Sequence, residues 1–296
     1  MHPNTVQIDA ATMTKLQSWQ ERSETMSDVI TAAPLRALSA TLDRDDPVPE
    51  DGSAVPALWH WLYFLPHARQ SEIGPDGHPR RGGFLPPVPL PRRMWAGGRL
   101  RWEADNPLRV GQEVQRISTI RSVLHKTGRS GELLFVLVEH RFLNHDGLAL
   151  VEEHDIVYRA AARPGDPVPP PQQPPLAGQA AWSRTIVPDD ILLFRYSALT
   201  FNGHRIHYDR QYVTQVEGYP GLIVHGPLIA TLLLDLLRRQ LPGARVVAFD
   251  FKALRPTFDL HPFSVHGKPR EDGRTIDLWA QDHEGLLTMQ ATATVA

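Results

Sequence analysis

The chain has 296 residues, 42% of them hydrophobic, enough for a sizeable core in one large domain or two ordinary ones. Its formal net charge of −2 gives no bulk electrostatic case for nucleic acid or an anionic membrane. It has no cysteine, which excludes disulfides, thiolate metal sites and cysteine nucleophiles.

The N-terminus lacks a basic-then-apolar signal pattern, and no apolar run approaches the ~20 residues that span a bilayer. A soluble, cytoplasmic protein is expected. Residues 9–24 read as an amphipathic helix with Met13, Leu16 and Trp19 at helical spacing. Residues 34–42 read as a second helix, with Pro34 in its first turn and Leu35, Leu38 and Leu42 on one face. An acidic, proline-rich loop follows at 43–56. Trp59, Trp61, Tyr63 and Phe64 then form a strand-like aromatic run, suited to a core or an acyl-pocket wall. Residues 66–91, rich in Gly and Pro, form a long irregular loop, and such loops are often functional. Strands dominate from 97 to 159, with hairpin signals at Thr127-Gly128-Arg129-Ser130-Gly131 and Asn144-His145-Asp146-Gly147.

Seven prolines fall in the thirteen residues 163–175, a semi-rigid spacer and the natural domain boundary. The expected division is an N-terminal domain over 1–160, a linker over 161–176 and a C-terminal domain over 177–296. Beyond the spacer the plan repeats. A strand at 182–187 leads to a helix at 188–199, a polar loop, a short helix at 210–216 and a long apolar helix. Gly226 can cap that last helix, Pro227 suits its first position, and Pro242-Gly243 stops it. Leu228, Leu232, Leu233, Leu236 and Leu237 cover more than one stripe, so burial nearly all round is expected. Strands at 247–253, 275–281 and 286–295 close the chain.

Two stretches carry a resemblance. They are Phe201-Asn202-Gly203-His204-Arg205-Ile206-His207-Tyr208-Asp209 and Glu217-Gly218-Tyr219-Pro220-Gly221-Leu222-Ile223-Val224-His225-Gly226-Pro227. Together they resemble the signature of the MaoC-like hot-dog hydratase superfamily. The wording is closest to its two-domain fatty-acid-synthase-dehydratase-like branch, which holds mesaconyl-C4-CoA and itaconyl-CoA hydratases and 3-hydroxyacyl-thioester dehydratases. The resemblance implies an α+β double hot-dog fold with a catalytic C-terminal half. It implies an N-terminal half that has lost the catalytic residues and accommodates the acyl or CoA portion. It also implies reversible hydration of an enoyl thioester on CoA or an acyl carrier, without a cofactor. Mesaconyl-C4-CoA or itaconyl-CoA, giving a citramalyl-CoA, is the preferred substrate, and dehydration of 3-hydroxyacyl thioesters in fatty-acid synthesis is the alternative. A hot-dog thioesterase and a non-catalytic acyl-thioester binder remain as further readings. Hot-dog sheets commonly associate, which leaves room for a homodimer.

The resemblance maps His207 onto the superfamily's catalytic histidine, and an imidazole titrating near neutrality suits proton transfer. Asn202 falls where the wider superfamily has aspartate. An amide cannot take a proton, but its carbonyl can hold and steer the attacking water. Gly226, at a helix N-terminus, offers an N–H to the developing enolate oxygen, and Leu228 is a second candidate because Pro227 has no N–H. On pattern alone Gly226 is equally a tight cap. His204 and His225 complete the polar signature. His204 and His207 are three apart, but without cysteine or a clear carboxylate partner no metal is expected. Asp209 either orients His207 or caps the following helix, and the cap is the preferred assignment. Among Arg92, Arg93, Arg99, Arg205, Arg210 and Arg255, candidates for CoA phosphates or a substrate carboxylate, Arg205 is favoured near the site and Arg255 second.

Overall fold

A computed structural model describes residues 8–128, 131–160, 171–174, 176 and 178–296. The proline-rich spacer lies largely outside the described residues. Helix α1 (Ala10–Gln17) starts at Asp9, whose carboxylate accepts the Thr12 N–H. The helix expected over 9–24 ends early. Glu21 takes a φ of 61°, and the chain turns into strand β1 (Ser23–Val29). Most side chains of β1 are exposed, because it is an edge strand held by its ladder to β3 (Glu113–Gly128). Helix α2 (Ala32–Thr41) holds Pro34 in its first turn and buries Leu35 and Leu38, as expected. The aromatic run is not a strand. It forms a 3-10 turn (Trp59–Leu62) between two left-handed residues, Leu58 (φ 70°) and Phe64 (φ 56°). No neighbouring strand pairs with it, and Trp59, Leu62, Tyr63 and Phe64 are fixed by burial in the main core.

Among the described residues the strands form one antiparallel sheet. Its order is β1, β3, β4 (Gly131–Asn144), β5 (Gly147–Arg159), β2 (Arg92–Trp102), β7 (Val246–Ala253), β10 (Leu287–Val295), β9 (Thr275–Gln281), β8 (Phe263–Pro269) and β6 (Trp182–Ile186). The first five strands in sequence make one half of the sheet and the last five the other. They join where β2 pairs with β7. A Cβ on Gly97 would lie 2.4 Å from the Phe251 carbonyl oxygen, so this seam needs a residue without a side chain.

Helices α3 (Asp190–Leu199) and α4 (Arg210–Gln215) flank the polar loop. Helix α5 (Gly226–Gln240) packs against β6, β8, β9 and β10. Every residue of α5 from Leu228 to Leu237 is buried, and each buried leucine stabilises the fold by about 1.5–3 kcal/mol. Its cap is His225 rather than Gly226, with Gly226 and Pro227 as the first two helical residues. One acid, Asp235, lies in this apolar helix. It is held by Arg44 at 2.6 Å, Arg184 at 2.6 Å and Arg239 at 2.8 Å, which satisfies a carboxylate that burial would otherwise penalise. Among the described residues no helix is long and apolar enough to cross a membrane.

Candidate active site

The signature loop is built by a sharp exit from α3. Phe201 adopts a φ of 48°, and the Asn202 N–H closes the helix end on the Ser197 carbonyl at 2.8 Å. Asn202 Oδ1 then accepts the His204 N–H at 3.0 Å. That donor fixes which end of the amide is oxygen. The chain next makes a single 3-10 turn (Arg205–His207), and the Ile223 N–H donates to the Ile206 carbonyl at 3.0 Å. The Ile223 carbonyl in turn accepts His207 Nδ1–H at 2.7 Å. The tautomer of His207 is therefore set. Its Nε2 carries the lone pair and has no partner among the described residues.

His207 is 8% exposed, and burial pulls its pKa down to about 4 against the opposing pull of the Ile223 carbonyl. The ring is neutral at ordinary pH and ready to accept a proton. His225 stacks beneath it with centroids 3.8 Å apart and planes 18° from parallel. His225 Nε2 shares a hydrogen bond of 2.8 Å with Ser197 Oγ.

A loop from the N-terminal half completes this region. Ile73 and Pro79 form an isolated bridge, and the Asp76 carbonyl accepts the Arg205 N–H at 2.9 Å. Gly77 meets Gly203 so closely that a Cβ on Gly77 would lie 1.7 Å from the Gly203 carbonyl oxygen. This docking sets the His78 ring 4.0 Å from that of His204, which stands 5.4 Å from that of His207. Burial and the nearby charges of His78 and His207 lower the pKa of His204 to about 2.

Two cavities meet here. The larger, about 680 Å³, is lined by the aromatic and polar wall of the N-terminal half, including Trp61, Phe64 and Phe142. The smaller, about 410 Å³, is lined by His204, His207, Gly226 and Arg93. His78, Trp95, His154, Asn202 and Pro227 border both. Neither the Gly226 nor the Leu228 N–H finds a backbone partner among the described residues. A Cβ on Gly226 would meet nothing within 4 Å. An oxyanion can therefore approach the start of α5 at Gly226.

The structure brings His207, Asn202, His204, Gly226, Arg93 and Arg255 to one cavity wall. It places three other candidates elsewhere. Arg205 is committed to Asp209 Oδ2 at 2.7 Å, to the Pro75 carbonyl at 3.0 Å and to the face of Tyr212 at 4.1 Å, and it borders neither cavity. Its guanidinium ties the signature loop to the start of α4 and to the Pro75 carbonyl of the N-terminal loop. His225 is fully buried, with its ring stacked against that of His207. The Leu228 side chain lies in the core, which leaves its N–H as the group of interest. Asp209 is the α4 cap, accepting the Tyr212 N–H at 2.9 Å. Arg255 reaches the cavity while 3.5 Å from Asp282. Arg92 is spent on the Glu217 carbonyl and the face of Tyr219. Arg99 pairs with Glu153 and Asp155, and Arg210 with Asp190 and Asp259.

The sequence did not single out Asp76, His78, Trp95, His154 or Ser197, which also line the two cavities; the length of the 66–91 loop was a hint of Asp76 and His78 alone. Donor atoms of Asp76, His78 and His204 lie within 4.8 Å of one another, a spacing a cation can use. Asp76 Oδ2 already accepts His78 Nδ1–H at 3.2 Å and Oδ1 the His78 backbone N–H at 3.1 Å, so the carboxylate is spent on His78 rather than open to an ion.

One ten-stranded sheet in two halves, packed on a buried helix, with a histidine, an amide and a helix-start N–H around one cavity defines a double hot-dog protein of the MaoC-like class. Two solved structures share this fold. One described as a MaoC-like dehydratase matches with a TM-score of 0.70 at 14% identity, covering 95% of this chain and 99% of that one. A Mycobacterium tuberculosis protein described as having a double hot-dog fold matches with a TM-score of 0.56 at 13% identity, covering 94% and 96%. The chain belongs to the hydroxyacyl-thioester dehydratase type 2 family, whose model matches residues 58–259. It is 49% identical to the mesaconyl-C4-CoA hydratase of Chloroflexus aurantiacus over 278 residues, covering 93% of this chain and 96% of the relative.

Proposed function

We propose that this protein is a hydro-lyase that adds water reversibly to mesaconyl-C4-CoA, giving a citramalyl-CoA. The observation that carries this reading is His207. Its Nδ1–H is held by a backbone carbonyl, its Nε2 is bare, and it shares one cavity with Asn202 and Gly226. The thioester carbonyl lies at Gly226, where the helix N-terminus offers N–H groups to the oxygen that gains charge as the enolate forms. Water held near Asn202 gives a proton to His207 Nε2 as its oxygen bonds to the β-carbon. The acyl group occupies the junction of the two cavities, with contacts from both halves of the chain.

A mesaconyl mono-thioester keeps one free carboxylate. Arg93 borders the cavity, and its charge is felt by His78 and His204. It makes no ion pair with a carboxylate among the described residues, which leaves it for the substrate. Arg255 stands on the same cavity for the phosphate-bearing arm. The family match supports a second reading, dehydration of 3-hydroxyacyl thioesters, which is the same chemistry on another acyl chain.

Incubation with mesaconyl-C4-CoA and with crotonyl-CoA tests the proposal. Loss of enoyl-thioester absorbance without free thiol, faster for the mesaconyl substrate, is the expected result. His207→Ala is expected to lower turnover at least about a hundredfold with an unchanged circular dichroism spectrum. Release of free thiol would instead show a thioesterase, and no reaction a binding protein.

A further inference from the structure

The hydratase reading gives a proton-transfer role to one group, His207, for a reaction that moves protons at two adjacent carbons, and burial holds the neighbouring His204 far below the ordinary histidine pKa. Asn202 cannot supply the second, because an amide neither gives nor takes a proton at working pH. His78 and His154 are unassigned titratable groups that border both cavities, and of the two it is His78 whose loop docks on the signature loop, through Gly77 on Gly203.

Its geometry is that of an oriented acid–base group. Asp76 grips it twice, Oδ1 accepting the His78 backbone N–H at 3.1 Å and Oδ2 accepting Nδ1–H at 3.2 Å. The ring cannot swing freely, and Nε2 is the edge left over. That atom has no hydrogen-bond partner among the described residues, and the side chain is 23% exposed and lines both cavities. The Gly77–Gly203 contact and the Arg205 N–H bond to the Asp76 carbonyl hold the loop against the signature loop. Asp76, His204, Arg93 and Arg81 are the charged or titratable groups around the ring. Burial works to raise the Asp76 pKa, but the hydrogen bonds from His78 outweigh it and hold the carboxyl ionised. Burial lowers the His78 pKa below the ordinary histidine value, so the ring rests neutral, and the Asp76 carboxylate on Nδ1–H opposes that shift and stabilises the imidazolium when the ring takes a proton.

We infer that His78, held by Asp76, is the catalytic group that exchanges the α-proton of the thioester, while His207 serves the oxygen at the β-carbon. This rests on the hydratase reading above. In the hydration direction water gives one proton to His207 Nε2 as its oxygen bonds to the β-carbon. The π pair moves onto the thioester oxygen as an enolate. The enolate collapses by taking the Nε2 proton of the His78 imidazolium at the α-carbon. His207 then releases its proton to solvent and His78 regains one, so the net change is addition of one water. In dehydration the roles reverse, and neutral His78 removes the α-proton.

The test separates the two histidines. The full-length protein is incubated in deuterium oxide with the saturated analogue of mesaconyl-C4-CoA, which cannot gain or lose water, and α-deuteration is followed by mass spectrometry. Hydration of mesaconyl-C4-CoA is measured in parallel. His78→Gln is expected to lose both hydration and α-exchange about a hundredfold or more, while His207→Gln loses hydration and keeps exchange within about fivefold of wild type. Asp76→Asn keeps the acceptor for the His78 backbone N–H and removes the charge. It is expected to lower exchange and kcat together by about tenfold with KM unchanged, and it serves if His78→Gln fails to fold. The inference is overturned if His78→Gln, or Asp76→Asn in its place, exchanges and hydrates at the wild-type rate. It is equally overturned if His207→Gln rather than His78→Gln is the variant that loses exchange. A wild-type protein that neither hydrates nor exchanges would instead remove the hydratase reading itself.

Discussion

Gly77→Ala isolates the docking of the two loops. The added Cβ would lie 1.7 Å from the Gly203 carbonyl oxygen and 2.7 Å from its carbon, where real Cβ contacts essentially never fall below 3.0 Å. Both partners are backbone, so neither side chain can move aside, and the loops must separate by over about 1 Å. Gly203 lies between Asn202 and His204, so that separation displaces the cavity-lining amide of Asn202 as well as His78. A displacement of ~1 Å at reacting groups costs about a hundredfold in rate. Gly77 also holds a φ of +89°, which costs an alanine about 1–3 kcal/mol by itself. Gly218→Ala is the control, since Gly218 has a φ of +72° and open space around its Cβ position. The expected result is a lower Tm in both variants, read by thermal circular dichroism, and a large loss of mesaconyl-C4-CoA hydration only in Gly77→Ala. If Gly77→Ala keeps wild-type turnover while Gly218→Ala matches it in stability, the loop contact does not set the site.

Asn202→Ala is expected to be strongly impaired, because both the held water and the Oδ1 contact to His204 are lost. Asn202→Asp keeps that acceptor and places a carboxylate near His207, which raises the histidine pKa above about 4. Activity needs the neutral ring, so the acid limb of the pH–rate profile is expected to move to higher pH; an unmoved limb would mean that Asn202 and His207 do not share the water. Burial also depresses His140 to about 3 and His154 to about 4, from an ordinary 6.5. With folded pKa values below the unfolded one, these rings and His207 contribute stability that is fully present above pH 6.5 and is lost as pH falls through 6.5 toward 4. Chemical denaturation at pH 7.5, 6 and 5 is expected to show that loss before the carboxylates titrate, on the ordinary histidine scale of about 6.5. Asp235→Ala leaves Arg44, Arg184 and Arg239 facing an empty place and is expected to cost about 3–5 kcal/mol in urea unfolding, with turnover per folded molecule unchanged.

Local chemistry alone determined much of this protein. The spacing of leucines on α5, with Pro227 at its start, fixes a helix buried all round, because only a central position satisfies an apolar surface on every side. Asn202, His207 and Gly226 were singled out by the resemblance that their two contiguous stretches carry, and the fold sets all three on one cavity wall. Tertiary structure decided the rest. Strand β1 is polar and overlaps the expected helix only at Ser23 and Glu24; the free edge of β3 makes it a strand. The Trp59–Leu62 turn is apolar enough for a strand but has no ladder to join. Arg205 stands between Asn202 and His207 in sequence, yet it is held by Asp209 and Tyr212 and lines neither cavity. His78 lies over a hundred residues from His207 in sequence. No periodicity or spacing relates them. Two glycines, each small enough to let one backbone touch the other, bring the loops together, and that close approach belongs to the folded chain alone.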